Sequence, residues 1–233
     1  RAAELVRNGR IGKIHTVKIG FPGDPSGPQV PVMDVPGNLN YNMWLGSTPE
    51  IFYTEMRVHP QNNYSRPGWL RCEQFGAGMI TGWGSHFFDY ASWGMDTEYT
   101  GPVSVQAVAQ FPHSGLWNVH GDHMIKAEYE NGIVMYIGSG YPSGIRYEGE
   151  EGWIFVSHAH EKKLDAGDPA ILSSEIGNDE IKLYVSNEHH RNWLDCIKSR
   201  EQPISPVEVG HRACTVCLIS HIAMKVPGLL KWD

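Results

Sequence analysis

The sequence lacks a surplus of basic residues, because 19 lysines and arginines stand against 26 acidic residues, for a formal net charge of −7. Without a basic stripe to neutralise phosphates, neither a nucleic-acid partner nor an anionic membrane is expected. No apolar run approaches the roughly 20 residues of a membrane span. Four cysteines, Cys72, Cys196, Cys214 and Cys217, are too few for a disulfide framework in a chain of 233 residues. The compartment, cytoplasmic or exported, therefore stays open.

A phosphate-binding loop is also missing. Dinucleotide-binding domains carry G-x-G-x-x-G between a strand and a helix. Gly76-Ala77-Gly78 and Gly82-Trp83-Gly84 do not have that spacing, and no G-x-S-x-G of a serine hydrolase is present. We therefore expect no dinucleotide site in this chain alone.

What the chain does contain is organised around residues 76–93, GAGMITGWGSHFFDYASW. Its glycines are followed by bulky side chains at helical spacing, which predicts a loop that leads into a helix with His86 in the first turn. The positive end of a helix disfavours an imidazolium, so His86 should stay neutral and able to accept a proton. Asp89 and Tyr90 are within reach on the same face. The alternative interpretation is an ordinary packed histidine.

Alternating apolar residues predict strands on both sides of this helix. Asn131-Gly132 lies between two such runs and indicates a hairpin turn. The predicted strands cover 12–21, 103–111, 123–130 and 133–137, followed by a second hairpin around 148–152. Consecutive hairpins without helices between them indicate an antiparallel sheet. Residues 1–10 are predicted as a helix that ends at Asn8-Gly9, and the proline-rich residues 22–36 as a loop.

The C-terminal part of the sequence is predicted to be helical. Ser186 is a candidate cap for a helix that runs to Arg200. Ser205-Pro206-Val207-Glu208 has the composition of a capping box for a second helix. The apolar residues 213–224 should then be buried against the sheet, with the Cys214 and Cys217 thiols packed in the core.

Histidine clusters and one arginine motif offer further candidate sites. His120-Gly121-Asp122-His123 contains metal-ligand types, but alternation places Asp122 and His123 on opposite faces of a strand, so a solvated strand start is favoured. The pairs 158/160 and 189/190 are expected on the surface. In Arg66-Pro67-Gly68-Trp69-Leu70-Arg71 a guanidinium beside an indole suits binding of a sugar. The alternative is a surface ion pair and a core tryptophan.

Several long strings, in this order, resemble one family. They are VRNGRIGKI, MWLG, RPGWLR, GAGMITGWGSHFFD, GIRYEGEEGWIFV and HHRNWLDCIKSREQPISPVEVGHRA, followed by the terminal KWD. Together they resemble the C-terminal domain of the glucose–fructose oxidoreductase, inositol dehydrogenase and rhizopine-catabolism family (Gfo/Idh/MocA).

This resemblance implies an α+β fold in which a large, open, mostly antiparallel sheet carries helices on one face, like the C-terminal domain of dihydrodipicolinate reductase. It implies that a Rossmann domain, absent from this chain, precedes it and binds NAD or NADP. Residues 1–11 would be the tail of the linking helix, and 12–233 the domain for substrate binding and for oligomerisation through the other sheet face. The substrate would be a sugar or cyclitol.

The resemblance also implies roles for individual residues. His86 matches the family's catalytic histidine, and substrate contacts are expected from Arg71, Trp83, Arg66, Trp69 and Asp89. One position departs from the family pattern, since Gly82 stands where an aspartate usually precedes the histidine by four residues. Two other hypotheses therefore stay open: a glycoside hydrolase that uses NAD transiently, and a carbohydrate-binding or assembly module without turnover.

Overall fold

The computed structural model describes residues 1–59, 68–158 and 163–232. Helices lie at Ala2–Arg7 (α1), Tyr41–Leu45 (α2), Glu55–Val58 (α3), Met79–Gly82 (α4), Gly84–Met95 (α5), Pro169–Ser173 (α6), His189–Ser199 (α7) and Val207–Lys225 (α8), with a 3-10 turn at Gly68–Arg71. Strands lie at Ile14–Gly20 (β1), Pro102–Ala109 (β2), His123–Tyr129 (β3), Val134–Gly138 (β4), Gly144–Gly149 (β5), Gly152–Ser157 (β6), Leu164–Ala166 (β7) and Leu230–Lys231 (β8).

The strands form one eight-stranded sheet in the order β7-β6-β5-β1-β4-β3-β2-β8. β1 runs parallel to β4, and every other neighbouring pair is antiparallel. The two predicted hairpins are confirmed as β3–β4 and β5–β6. The mostly antiparallel sheet expected from consecutive hairpins is confirmed as well.

Helices cover one face of this sheet. Apolar side chains of α1, α4, α5 and α8 pack against alternate residues of the central strands, such as Val17, Ile125 and Met135, which are fully buried. The intervening strand residues point to the opposite face, where Lys18 pairs in register with Tyr136 on one side and Arg146 on the other. These side chains are only partly buried. The α+β architecture with one covered and one open face is therefore confirmed.

Both predicted helix caps are wrong. Helix α7 begins after Glu188, not at Ser186, and the N-cap of α8 is Pro206; neither cap makes a side-chain hydrogen bond. The helix starts too late for the Ser205 hydroxyl to serve its first turn. The Glu208 carboxylate instead accepts a hydrogen bond from Arg212 Nε at 2.8 Å, the usual pairing of residues four apart on a helix.

The prediction that residues 213–224 are buried holds for one side only. Cys217 is buried and its Sγ donates to the Ala213 carbonyl, whereas Cys214 is exposed. Leu218 and Ile222 are exposed too. Because α8 packs on β2 and α5 along one side, only that side of its apolar surface enters the core.

Gly94 provides a test of the packing between α5 and the sheet. A Cβ at this position would lie 2.5 Å from the ring of Tyr147. That ring cannot move aside, because it is fully buried and its hydroxyl donates to the Tyr90 carbonyl at 2.8 Å. We expect Gly94→Ala to lower the free energy of unfolding by about 1–3 kcal/mol, as overpacking does.

Chemical denaturation measures this loss. Gly101→Ala is the control, since a Cβ there meets no atom within 4 Å. Equal stability of the two variants would contradict the packing described here.

Candidate functional site

The candidate site is built where two short helices meet. Gly78 precedes α4 with a left-handed φ of 71°, and Trp83 alone separates α4 from α5. His86 is the third residue of α5 and its side chain is exposed. The predicted path of a glycine-rich loop into a helix with His86 in the first turn is therefore confirmed.

His86 opens onto a cavity of about 630 Å³. One wall is a single face of α5, formed by Ser85, His86, Asp89, Tyr90 and Trp93. The other walls are formed by residues distant in sequence, Glu98, Tyr99, Tyr184, His189, Val209, Gly210, Ala213 and the segment 202–206. Sequence reasoning missed these other walls, because they share no motif with the α5 segment and only the fold brings them together.

Asp89 lies one turn after His86 and lines the same cavity. Burial raises the pKa of its carboxyl, and the charge of His86 acts in the opposite direction. Burial also raises the pKa of Glu98 at the cavity wall. The cavity thus holds an imidazole beside carboxyl groups that retain protons more readily than in water, which is the equipment for proton transfer.

Trp83 supports His86 from outside the cavity. The Trp83 and His86 rings lie 5.9 Å apart, and on its other side Trp83 packs edge-on against His158, with ring centroids 4.3 Å apart. His158 is exposed, as predicted, and it also contacts Phe87. His160 lies outside the described residues. An exposed histidine thus helps to hold the indole that borders His86.

Arg71 is linked through Asp24 to the start of α4. Its Nε donates to Asp24 Oδ1 at 2.9 Å, and its guanidinium stacks 4.6 Å above the Trp117 ring. Asp24 Oδ2 in turn accepts from the Met79 N–H at 2.6 Å, so this ion pair holds the start of α4. Neither Arg71 nor the half-buried Trp69 is among the described residues that line the cavity.

Of the six residues predicted from the sequence, His86 and Asp89 therefore line the cavity, Trp83 contacts His86 without lining it, and Arg71 and Trp69 do not line it. Arg66 lies outside the described residues.

The prediction of a solvated strand start at His120–His123 is wrong. Both imidazoles are buried, with ring centroids 4.7 Å apart. His120 Nε2 accepts from the Ile80 N–H at 3.3 Å, and its Nδ1 lies 3.1 Å from the Gly121 carbonyl oxygen. Burial lowers the pKa of each ring to about 4. Alternation did place Asp122 on the exposed side, but the Asp24 N–H and the Ile80 N–H of α4 donate to His120, and Phe21 packs against His123 with ring centroids 5.0 Å apart.

Two negative findings apply to the described part of the chain. No three His, Cys, Asp or Glu side chains there are placed to hold a metal ion. None of its helices combines the length and apolar character needed to cross a membrane.

Comparison with protein families identifies the chain. Residues 22–233 match the family model described as "Oxidoreductase family, C-terminal alpha/beta domain". The chain belongs to the Gfo/Idh/MocA oxidoreductase family. A search of curated protein sequences found no significant match.

Solved structures of the Gfo/Idh/MocA type share this fold at low identity. An aldose–aldose oxidoreductase from Caulobacter crescentus superposes with a TM-score of 0.61 at 16% identity, covering 99% of this chain and 59% of its own. The WlbA dehydrogenase from Bordetella pertussis, in complex with NADH and UDP-GlcNAcA, gives 0.61 at 14%, covering 100% and 59%. An Agrobacterium radiobacter oxidoreductase with NAD+, L-tartaric acid and magnesium gives 0.57 at 12%, covering 99% and 61%. This chain thus spans about three fifths of their length.

Proposed function

We propose that this chain is the substrate-binding part of an NAD- or NADP-dependent oxidoreductase that acts on a sugar or cyclitol. The main support for this proposal is the exposed His86 in the first turn of α5, which lines a cavity together with Asp89. Residues 12–233 would form the domain for substrate binding and oligomerisation, and residues 1–11 the end of a helix from a preceding nucleotide-binding domain.

In this proposal His86 exchanges the proton of the reacting hydroxyl. Oxidation of an alcohol needs a base for the O–H proton while a hydride leaves the carbon, and a neutral imidazole within hydrogen-bond reach serves that purpose. Bound nicotinamide supplies the hydride acceptor. Neither glycine-rich segment of this chain has the G-x-G-x-x-G spacing of a dinucleotide-binding loop. Asp89 would orient the imidazole or bind a neighbouring hydroxyl.

The cavity lining supports a polyhydroxylated substrate. Aromatic rings from α5 and from two loops, Tyr90, Trp93, Tyr99 and Tyr184, suit stacking on the C–H face of a sugar ring. The Gln202 amide and the carboxyl groups suit its hydroxyls. The aldose–aldose oxidoreductase and the dehydrogenase bound to UDP-GlcNAcA, which share the fold, are consistent with this class.

We further propose that the open sheet face joins copies of the protein. Its partly buried aromatic residues, Tyr136, Trp153 and Phe155, lie among charged side chains that are already paired, such as Lys18 with Glu148 at 2.9 Å. Such a face can be covered without leaving these charges unpaired, because each keeps its partner on the same face.

One observation favours a second candidate, the NAD-dependent glycoside hydrolase. Gly82 leaves His86 without the family's usual aspartate, while burial raises the pKa of Asp89 in the same cavity. A carboxyl whose pKa is raised serves more readily as a general acid toward a leaving group than one in water. Release of an aryl group without net change in the nicotinamide would distinguish this reaction from dehydrogenation.

Replacing His86 tests the proposed function directly. In the full-length protein, nicotinamide absorbance would be followed while sugars, cyclitols and aryl glycosides are added. We expect His86→Gln to lower kcat for the active compound by about 10²-fold, the usual contribution of a general base. His113→Gln is the control, since His113 is exposed and does not line the cavity.

Unchanged turnover in His86→Gln would remove the catalytic assignment. Sugar binding without any redox change or aglycone release in the wild-type protein would instead indicate a binding module.

A further inference from the structure

Helix α7 presents its apolar side to solvent. Trp193, Leu194 and Ile197 are all exposed, and no residue of the helix is buried. At 100° per residue these three side chains, with His190, form one stripe about 100° wide. A surface helix normally turns such a stripe toward its own core, so the orientation of α7 is inverted.

Hydrogen bonds on the opposite side of α7 hold its apolar side toward solvent. The Asn192 amide donates to the Tyr184 hydroxyl at 2.7 Å, and its Oδ1 accepts from the Ile204 N–H at 3.1 Å. The Asn192 side chain, on the polar side of α7, thus links the helix to the segments before and after it. The apolar stripe cannot turn inward without breaking these bonds.

The helix lies at the rim of the cavity that holds His86. His189, the first residue of α7, lines this cavity, as do Tyr184 before the helix and residues 202–206 after it. A protein domain that closes the cavity from the side opposite His86 would therefore also contact α7.

Helix α1 lies beside the segment that leads into α7. Asn8 exchanges two hydrogen bonds with Ile181, each 2.9 Å, and Glu4 accepts from the Leu183 N–H at 3.3 Å. The segment 181–183 thus runs antiparallel to α1, and its continuation toward Tyr184 and α7 leads to the N-terminal end of α1. Helix α1 therefore lies alongside the segment that leads into Tyr184 at the cavity rim.

We infer that the apolar stripe of α7 is the docking surface for the nucleotide-binding domain that precedes residue 1 in the same polypeptide. The inference rests on the proposed function, in which that domain closes the cavity. It is supported by the share of each relative, about two fifths, that lies outside the match, and by the family model's description as a C-terminal domain. Interfaces between domains of one chain bury on the order of 600–1,500 Å² in total, so a short apolar stripe with polar surroundings is enough for one.

Hydroxyl-radical footprinting of the full-length protein tests this inference. Trp193 is 62% exposed in this chain and Trp232 is 59% exposed, so two similar indoles can be compared within one molecule. Each oxidation rate is normalised to the rate in the urea-unfolded protein. We expect the normalised rate at Trp193 to be about one fifth or less of the rate at Trp232. The ratio should not change on roughly 100-fold dilution, since an intramolecular contact does not depend on concentration.

Matched variants complete the test. Ile197→Glu places a carboxylate in the stripe and should restore oxidation of Trp193, whereas Ile222→Glu, at a comparably exposed isoleucine on α8, should not. Fast oxidation of Trp193 in the wild-type protein would overturn the inference. Protection that disappears on dilution would overturn it too, and would assign the stripe to a second copy.

The docking surface and the proposed reaction can fail separately. Footprinting needs no turnover, so His86→Gln should keep Trp193 protected. An active enzyme with unprotected Trp193 would refute the docking surface alone, and protected Trp193 in a protein without redox activity would refute the reaction alone.

Discussion

Asp24→Ala is expected to lower the free energy of unfolding by about 2–4 kcal/mol, because it removes the buried acceptor of an ion pair and of a backbone N–H. The Asp24 side chain is 1% exposed, and it accepts from both Arg71 Nε and the Met79 N–H. The substitution leaves the guanidinium and the first N–H of α4 without their acceptor. Urea denaturation at neutral pH measures the loss.

Asp34→Ala serves as the control for Asp24. It removes a carboxylate from the same loop, but at an exposed position, so we expect a change within about 0.5 kcal/mol. A loss below about 1 kcal/mol for Asp24→Ala would mean that the start of α4 is held by other contacts.

Acidification from pH 6.5 to 5 is expected to destabilise the protein through His120 and His123. Burial lowers the pKa of each to about 4 in the folded state, against about 6.5 when unfolded. Between these values the unfolded chain binds protons that the folded chain excludes. Stability is therefore fully present above pH 6.5 and is lost as pH falls toward 4, on the order of 2 kcal/mol per histidine at pH 5.

Urea denaturation at several pH values, with His123→Gln as the variant, isolates this effect. The variant should show about half of the wild-type loss, since one of two titrating groups is gone, while His113→Gln should leave the slope unchanged. Asp89 and Glu98, whose pKa is raised, act in the opposite direction, because the folded state takes up their protons first. They are common to all variants, so differences between variants report the histidines. Equal losses of stability from pH 6.5 to 5 in the wild-type protein and in His123→Gln would contradict the prediction.

Most of the fold could be predicted because its signals are local. Asn131-Gly132 specifies a tight turn whatever surrounds it, and alternation along 123–130 specifies a strand with one buried side. The same locality made His86 recognisable as a first-turn residue. The prediction of the α8 cap failed although Ser205 and Glu208 satisfy the local pattern. Pro206 stays extended, with ψ at 156°, so α8 begins one residue later than the pattern places it.

The walls of the cavity could not be predicted, because they depend on contacts between distant segments. Tyr184 and His189 come close to His86 only after the chain has crossed the whole sheet. Arg71 illustrates the same limit. The motif around Arg71 gives no sign of its partner Asp24, which lies 47 residues earlier in a loop without regular structure.

The position of β1 in the sheet has a consequence for how the protein is made. β1 is the first strand in the sequence, yet it lies between β4 and β5, and its partners begin at residue 134 on one side and 144 on the other. During synthesis this strand must wait for more than half of the chain before either edge can pair. The hairpins β3–β4 and β5–β6 can form from local contacts first, and β1 then joins them. Contacts of such long range slow folding and leave apolar strand edges open meanwhile, which makes this step the one most in need of a chaperone.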